Sequence, residues 1–142
     1  MFETISTQIG AAVMVAVAGF AFLKGERPER IGIGAYLLAW LATILVQSQL
    51  GFDSAPWLVF AVDVAVLVVF IALTWKSHRS WPIWASGLQL LIVMSHIARI
   101  TNLNPPTLVV ITVFNLASYG ILVSIAIGTF WAWQERRAAG LE

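Results

Sequence analysis

The long apolar stretches of this sequence contain ionisable and hydrogen-bonding side chains, among them Asp63, Gln89, His96 and Arg99. An aspartate and a histidine can share or exchange a proton, because the carboxylate accepts hydrogen bonds and the imidazole titrates near physiological pH. Ser86, Gln89, His96 and Arg99 follow one another at spacings of 3, 7 and 3 residues, so they share one face if this segment is a helix. Binding of a proton or a small ion is the chemistry that these residue types could perform.

The segments that carry these residues have the composition of membrane helices. Of the 142 residues, 60% are hydrophobic and 11% are charged, whereas about a quarter of the residues in a soluble domain are charged. A membrane-spanning helix needs about 20 predominantly apolar residues. Five segments meet this requirement: 5–23, 31–50, 57–75, 82–100 and 107–133. The sequence therefore predicts an all-α membrane protein, a compact bundle of five transmembrane helices that forms a single domain over residues 1–142.

The basic residues predict which end of the bundle faces the cytoplasm. With five crossings, most Lys and Arg residues fall on one side: Lys24, Arg27, Arg30, Lys76, Arg79, Arg136 and Arg137. Arg99 falls on the other side. Because cytoplasmic loops carry an excess of Lys and Arg, we expect the N-terminus outside and the C-terminus in the cytoplasm. The short loops suit a bacterial inner membrane, which is the expected location.

Tryptophans cluster at the same predicted cytoplasmic end: Trp75, Trp81, Trp84, Trp131 and Trp133. Tryptophan is enriched at membrane–water interfaces, where the ring sits at the level of the lipid head groups. We expect these side chains to form an aromatic belt.

Depth in the membrane brings Asp63 and His96 to the same level. At 1.5 Å per helical residue, Asp63 lies roughly 9 Å below the external end of the third helix, and His96 lies roughly 7–8 Å below that of the fourth. Gln47 in the second helix and Asn115 in the fifth also fall in the outer half. The sequence therefore predicts an intramembrane polar cluster with these members: Asp63, His96, Arg99, Gln47, Asn115, Gln89 and Tyr119.

The fifth helix has two opposed faces of unusual composition. Thr112, Asn115 and Tyr119 form a polar face, which we expect to point into the bundle. The other face is a helix-packing interface of small residues: Ala117, Gly120, Ser124 and Gly128. Small residues at this spacing let two helices approach closely, and the partner is either a sister helix or another chain.

The sequence lacks the residues that several classes of functional site require. The chain has no cysteine, which excludes thiolate catalysis and cysteine-ligated metal sites. His96 would be the one intramembrane histidine, so two axial haem ligands are lacking, and Asp63 with His96 would lack a third metal ligand. No basic stripe interleaved with aromatics indicates nucleic acid. We therefore expect no enzyme activity, no cofactor, no metal and no nucleic-acid partner.

Three functions remain open. The leading hypothesis is a non-catalytic accessory subunit or homo-oligomeric membrane component, whose partners are the lipid bilayer and other membrane chains or itself, with the small-residue face as the interface. The alternative is a small proton- or ion-coupled transport or sensing protein that uses Asp63, His96 and Arg99. The second alternative is a lipophilic-ligand binder with Trp40, Gln89 and Tyr119 around a pocket. Asp63 and His96 themselves could form a structural pair, a proton site or a contact with another protein.

Overall fold

The computed structural model describes residues 5–50, 56–77, 79–101 and 106–140, and these residues are helical apart from short connections. Five helices follow one another along the chain: α1 (Ile5–Lys24), α2 (Arg27–Leu50), α3 (Pro56–Lys76), α4 (Trp81–Ile100) and α5 (Thr107–Ala138). The prediction of an all-helical bundle with five helices is confirmed. No strand occurs within the described ranges.

Two helices extend by more than one residue beyond the apolar segments that predicted them. α2 begins at Arg27 rather than at residue 31, because Pro28 sits in the first turn, where a missing N–H breaks no helical hydrogen bond. α5 continues to Ala138, past the predicted end at residue 133. Its last residues are strong helix formers, and two arginines in the last turn interact favourably with the helix dipole.

Among the described residues, four helices are long and apolar enough to cross a membrane: Arg27–Val46, Trp57–Lys76, Trp81–Ile100 and Leu108–Ala138. In α1 the corresponding apolar stretch, Gln8–Lys24, is shorter. Large apolar side chains cover the outside of the bundle; Leu38 and Leu108, for example, are 69% and 76% exposed. An outer surface of this kind is suited to lipid rather than to water. The apolar helices indicate an integral membrane protein.

α4 packs against both α3 and α5, and α5 also packs against α1 and α2. Phe70 from α3, Ala85 from α4, and Ile121 and Ile125 from α5 are fully buried where these helices meet. α2 packs against α1 and α3. The side chains that face this shared core are therefore the ones that can form a site inside the bundle.

The small-residue face of α5 packs against α4 of the same chain. A Cβ atom on Gly120 would lie 2.7 Å from Leu88 Cδ1, and one on Gly128 would collide with the ring of Trp81. Ala117 and Ser124, on the same face, are buried. The close approach that small residues permit is therefore used within the bundle.

Charged side chains connect separate segments of the chain at one end of the bundle. Arg136 near the end of α5 donates hydrogen bonds to the Lys24 carbonyl and, at 2.6 Å, to a Glu26 carboxylate oxygen. Arg79, just before α4, pairs with Glu135 of α5 at 2.8 Å. These contacts bring the α1–α2 connection, the start of α4 and the end of α5 to the same end of the molecule, as antiparallel connection of the helices requires.

Candidate functional site

Asp63 of α3 and His96 of α4 form a direct pair inside the bundle. The distance between Asp63 Oδ2 and His96 Nε2 is 2.5 Å. The histidine side chain is 7% exposed and the aspartate side chain 20% exposed. In surroundings this apolar, a hydrogen bond between the two groups is electrostatically stronger than the same bond in water.

The helical period explains why both side chains face the interior. On α3, Asp63, Val66 and Phe70 follow at helical spacing, and the latter two are core residues. On α4, Gln89 and His96 are seven residues apart on the buried face. Each polar residue therefore replaces an apolar one on a core-facing stripe, and the packing of α3 on α4 brings them together.

Gln89 holds the aspartate from a second direction. Its Nε2 atom donates to the Asp63 backbone carbonyl at 2.9 Å and lies 3.4 Å from Asp63 Oδ1. Both carboxylate oxygens of Asp63 thus have a partner, and the carboxylate orientation is fixed. The Oε1 atom of Gln89 is buried and has no hydrogen-bond partner within the described residues. A buried carbonyl in that position is costly by about 1–3 kcal/mol, and it retains the capacity to accept a hydrogen bond.

Aromatic rings enclose the imidazole. Phe114 of α5 lies with its ring centroid 5.1 Å from that of His96. Phe60 of α3 approaches edge-on, with a centroid distance of 6.3 Å. Since these rings cover His96, the carboxylate of Asp63 is the more accessible member of the pair.

Two charge states of the pair with the aspartate ionised differ by one proton. A neutral imidazole that donates to the carboxylate gives a net charge of −1, and an imidazolium beside the carboxylate gives a net charge of zero. A net charge in apolar surroundings is costly, whereas a neutral ion pair is better tolerated. Uptake or loss of one proton at this site therefore changes how well the pair suits its packing environment.

Within the described residues, no hydrogen bond or ion pair connects this pair to three other predicted members, Arg99, Asn115 and Tyr119. Arg99 is exposed near the end of α4, and the described ion pair of Asp63 is with His96. Asn115 is exposed on α5. Tyr119 is 37% exposed, and its hydroxyl lies beside α1, 3.3 Å from where a Cβ on Gly10 would stand. The side chain of Gln47 lies outside the described residues.

The expectation that the polar face of α5 points into the bundle is wrong. Thr112 and Asn115 are exposed, whereas the opposite face carries the buried Ala117 and Ser124. Two opposed faces of one helix cannot both meet α4. The small-residue face occupies that position because it permits the closer approach.

Sequence reasoning missed a second buried polar group, formed by Glu29 and Trp81. Glu29 is completely buried, and Trp81 Nε1 donates to its Oε2 atom at 3.0 Å. The Glu26 N–H donates to Glu29 Oε1 at 3.1 Å, and Arg79 Nε lies 3.8 Å from Oε2. The expected membership of Trp81 in an aromatic belt is wrong, because its side chain is only 3% exposed. The feature of the sequence that could have indicated this burial is a pair of glycines, Gly32 on α2 and Gly128 on α5. Their missing side chains make room for the indole.

Comparison of the chain with protein-family models, curated proteins and solved structures found no match. Within the described parts of the chain, no three His, Asp, Glu or Cys side chains are grouped as they would be around a metal ion.

Proposed function

We propose that this chain is a proton-responsive membrane protein of the transport or sensing class, in which Asp63 and His96 bind the proton. The observation that carries the proposal is the 2.5 Å contact between Asp63 Oδ2 and His96 Nε2, enclosed by apolar helices. Ionisable residues inside membrane helices are expensive and mark proton or ion pathways. The proposal contains no catalytic step.

The proposal includes a topology. The chain crosses a bacterial inner membrane five times, with the N-terminus outside and the C-terminus in the cytoplasm. The support is the concentration of basic residues at one end of the bundle, where Lys24, Arg79 and Arg136 lie near one another in the fold. In this orientation the Asp63–His96 pair lies in the outer half of the membrane.

The test compares the wild type with Asp63→Asn in liposomes that enclose a pH-sensitive dye. Asparagine keeps the size of the side chain and can still bond to His96, but it cannot hold the proton of a carboxylate. After a pH step, we expect either dye relaxation or a change in amide hydrogen exchange of α3 and α4 in the wild type. Neither response should occur in Asp63→Asn.

Two results would contradict this proposal. Asp63→Asn could respond like the wild type, in which case the pair is not the proton site. It could instead fail to insert or fold, which would favour a purely structural pair. Ser95→Ala is the control: its hydroxyl bonds to the Leu91 carbonyl of its own helix, so it should respond normally.

A second candidate function, that of a membrane-embedded subunit or homo-oligomer, is favoured by the outward polar face of α5. Asn115 lies exposed among apolar residues of a helix that is long enough to span the membrane. An amide that faces lipid gains from a hydrogen bond to a neighbouring helix. A partner membrane chain or a second copy would supply that helix.

Asn115→Leu tests this second candidate. If the face binds a partner, the particle mass after gentle detergent extraction should fall to that of one chain. Leu116→Ala is the matched control, because Leu116 is 67% exposed and apolar. An unchanged mass in Asn115→Leu would contradict the candidate. Substitutions at Gly120 or Gly128 would not serve, since both glycines contact α4 of the same chain.

A further inference from the structure

A groove between α4 and α5 opens at the charged end of the bundle. This is the end of α4 that is farther from His96. The volume of the groove is about 460 Å³, which is within the usual range for small-molecule sites. Trp84 and Leu88 of α4 line one wall, and Ile127 and Trp131 of α5 line the other. Trp40, Gln89 and Tyr119, the residues expected around a ligand pocket, are not among its lining residues.

The mouth of the groove carries both signs of charge. Arg79 and Glu135 line it and pair with each other at 2.8 Å, and the Glu135 side chain is 66% exposed. The described contacts of Arg79 with carboxylates use Nε and Nη1. An arginine has five N–H donors, so the guanidinium retains donors for a further anion.

This charge arrangement discriminates between head groups. A purely anionic head group near Arg79 would also face the carboxylate of Glu135. A purely cationic one would also face Arg79. A head group with a phosphate and an ammonium satisfies both residues at once, because each of its charges meets the opposite sign.

The walls of the groove suit an acyl chain. Leu88 and Ile127 are apolar, and the indoles of Trp84 and Trp131 are 71% and 60% exposed at its edges. Exposed tryptophans beside charged residues are typical of the level at which lipid head groups meet acyl chains. The same rings can hold an ammonium group by cation–π attraction.

We propose that this groove binds a phospholipid whose head group contains a phosphate and a primary ammonium. The phosphate meets Arg79, the ammonium donates hydrogen bonds to Glu135, and one acyl chain lies between Trp84 and Trp131. A primary ammonium fits better than a quaternary one, because only the former can donate to a carboxylate. This site is independent of the Asp63–His96 pair.

The experiment titrates delipidated protein with three phospholipids of identical acyl chains and counts bound lipid by native mass spectrometry. The three are phosphatidylethanolamine, phosphatidylcholine and phosphatidylglycerol. We expect phosphatidylethanolamine to bind most tightly. In Glu135→Gln its affinity should fall about fivefold, to near that of phosphatidylcholine, as expected for the loss of one partly exposed charge pair.

A second variant tests the groove itself. Ile127→Trp fills the space between the walls and should abolish retention of all three lipids. Val123→Trp is the matched control, because Val123 is 55% exposed on the same helix but does not line the groove. Equal affinity for the three lipids, preference for phosphatidylglycerol, or normal retention by Ile127→Trp would each overturn the proposal.

Discussion

Asp63 Oδ2 and His96 Nε2 are 2.5 Å apart, and this contact joins α3 to α4 inside the bundle. The two residues are separated by 33 positions in the sequence. Their meeting depends on the antiparallel packing of two long helices. Gln89, which is fully buried on α4, supports the same aspartate through its Nε2 atom.

The two neighbours of Asp63 should differ strongly in their effect on stability. His96→Leu leaves the Asp63 carboxylate without its partner among apolar side chains, and we expect a loss of about 3 kcal/mol in the free energy of unfolding. Gln89→Leu removes one bond to Asp63 but also removes a buried carbonyl oxygen that has no described partner. The expected change is therefore smaller, about 1 kcal/mol or less.

Denaturation in mixed micelles, followed by circular dichroism, measures both changes. Ser95→Ala on the same helix provides the baseline. Equal losses in His96→Leu and Gln89→Leu would show that the histidine has no special part in stabilising the carboxylate.

A methyl group added at Gly128 should destabilise the protein, because the Trp81 ring packs closely against this glycine. A Cβ on Gly128 would collide with the Trp81 ring, which is buried between α2 and α5. We expect Gly128→Ala to lower the free energy of unfolding by about 1–3 kcal/mol, the usual cost of overpacking a core.

Gly19→Ala is the matched control for that substitution. A Cβ on Gly19 of α1 would meet no atom within 4 Å. Because alanine favours a helix over glycine by about 0.5–1 kcal/mol, this variant should be neutral or more stable. If both variants changed stability alike, close packing at Gly128 would not be the cause.

Trp81→Phe should expose the dependence of Glu29 on the indole N–H. Phenylalanine fills part of the same space but cannot donate to Glu29 Oε2, which Trp81 Nε1 contacts at 3.0 Å. Loss of a donor to a buried carboxylate costs about 1–3 kcal/mol. Thermal unfolding detects this, with Trp75→Phe as control because Trp75 is 89% exposed. Recovery in the double variant Trp81→Phe with Glu29→Gln would support the assignment.

Hydrophobicity and periodicity predicted the helices well because each segment is long and almost uniformly apolar. Counting residues from the helix ends predicted that Asp63 and His96 lie at the same depth, and the structure places them in contact. Helix ends were less predictable. Residues such as Arg27 and Arg136 lie beyond the apolar segments, yet they continue α2 and α5 because nothing in their local chemistry ends a helix.

The orientation of α5 and the role of Trp81 could not be obtained from the sequence alone. α5 has both a polar and a small-residue face, and only the packing of α4 decides which of them is buried. A tryptophan at a helix start resembles an interfacial anchor. Its burial follows from the space left by two distant glycines, Gly32 and Gly128.

The most direct test of the proton-binding role is the protonation state of His96 itself. The protein contains two histidines, so nitrogen-15 labelling of histidine with His78→Gln isolates the His96 ring signals in lipid nanodiscs. A proton-binding pair predicts that these signals report the gain or loss of the ring proton when the pH is changed, and that Asp63→Asn alters this response. Ring signals that do not respond to pH, or a response that is the same in Asp63→Asn, would contradict the role of the pair as the proton site.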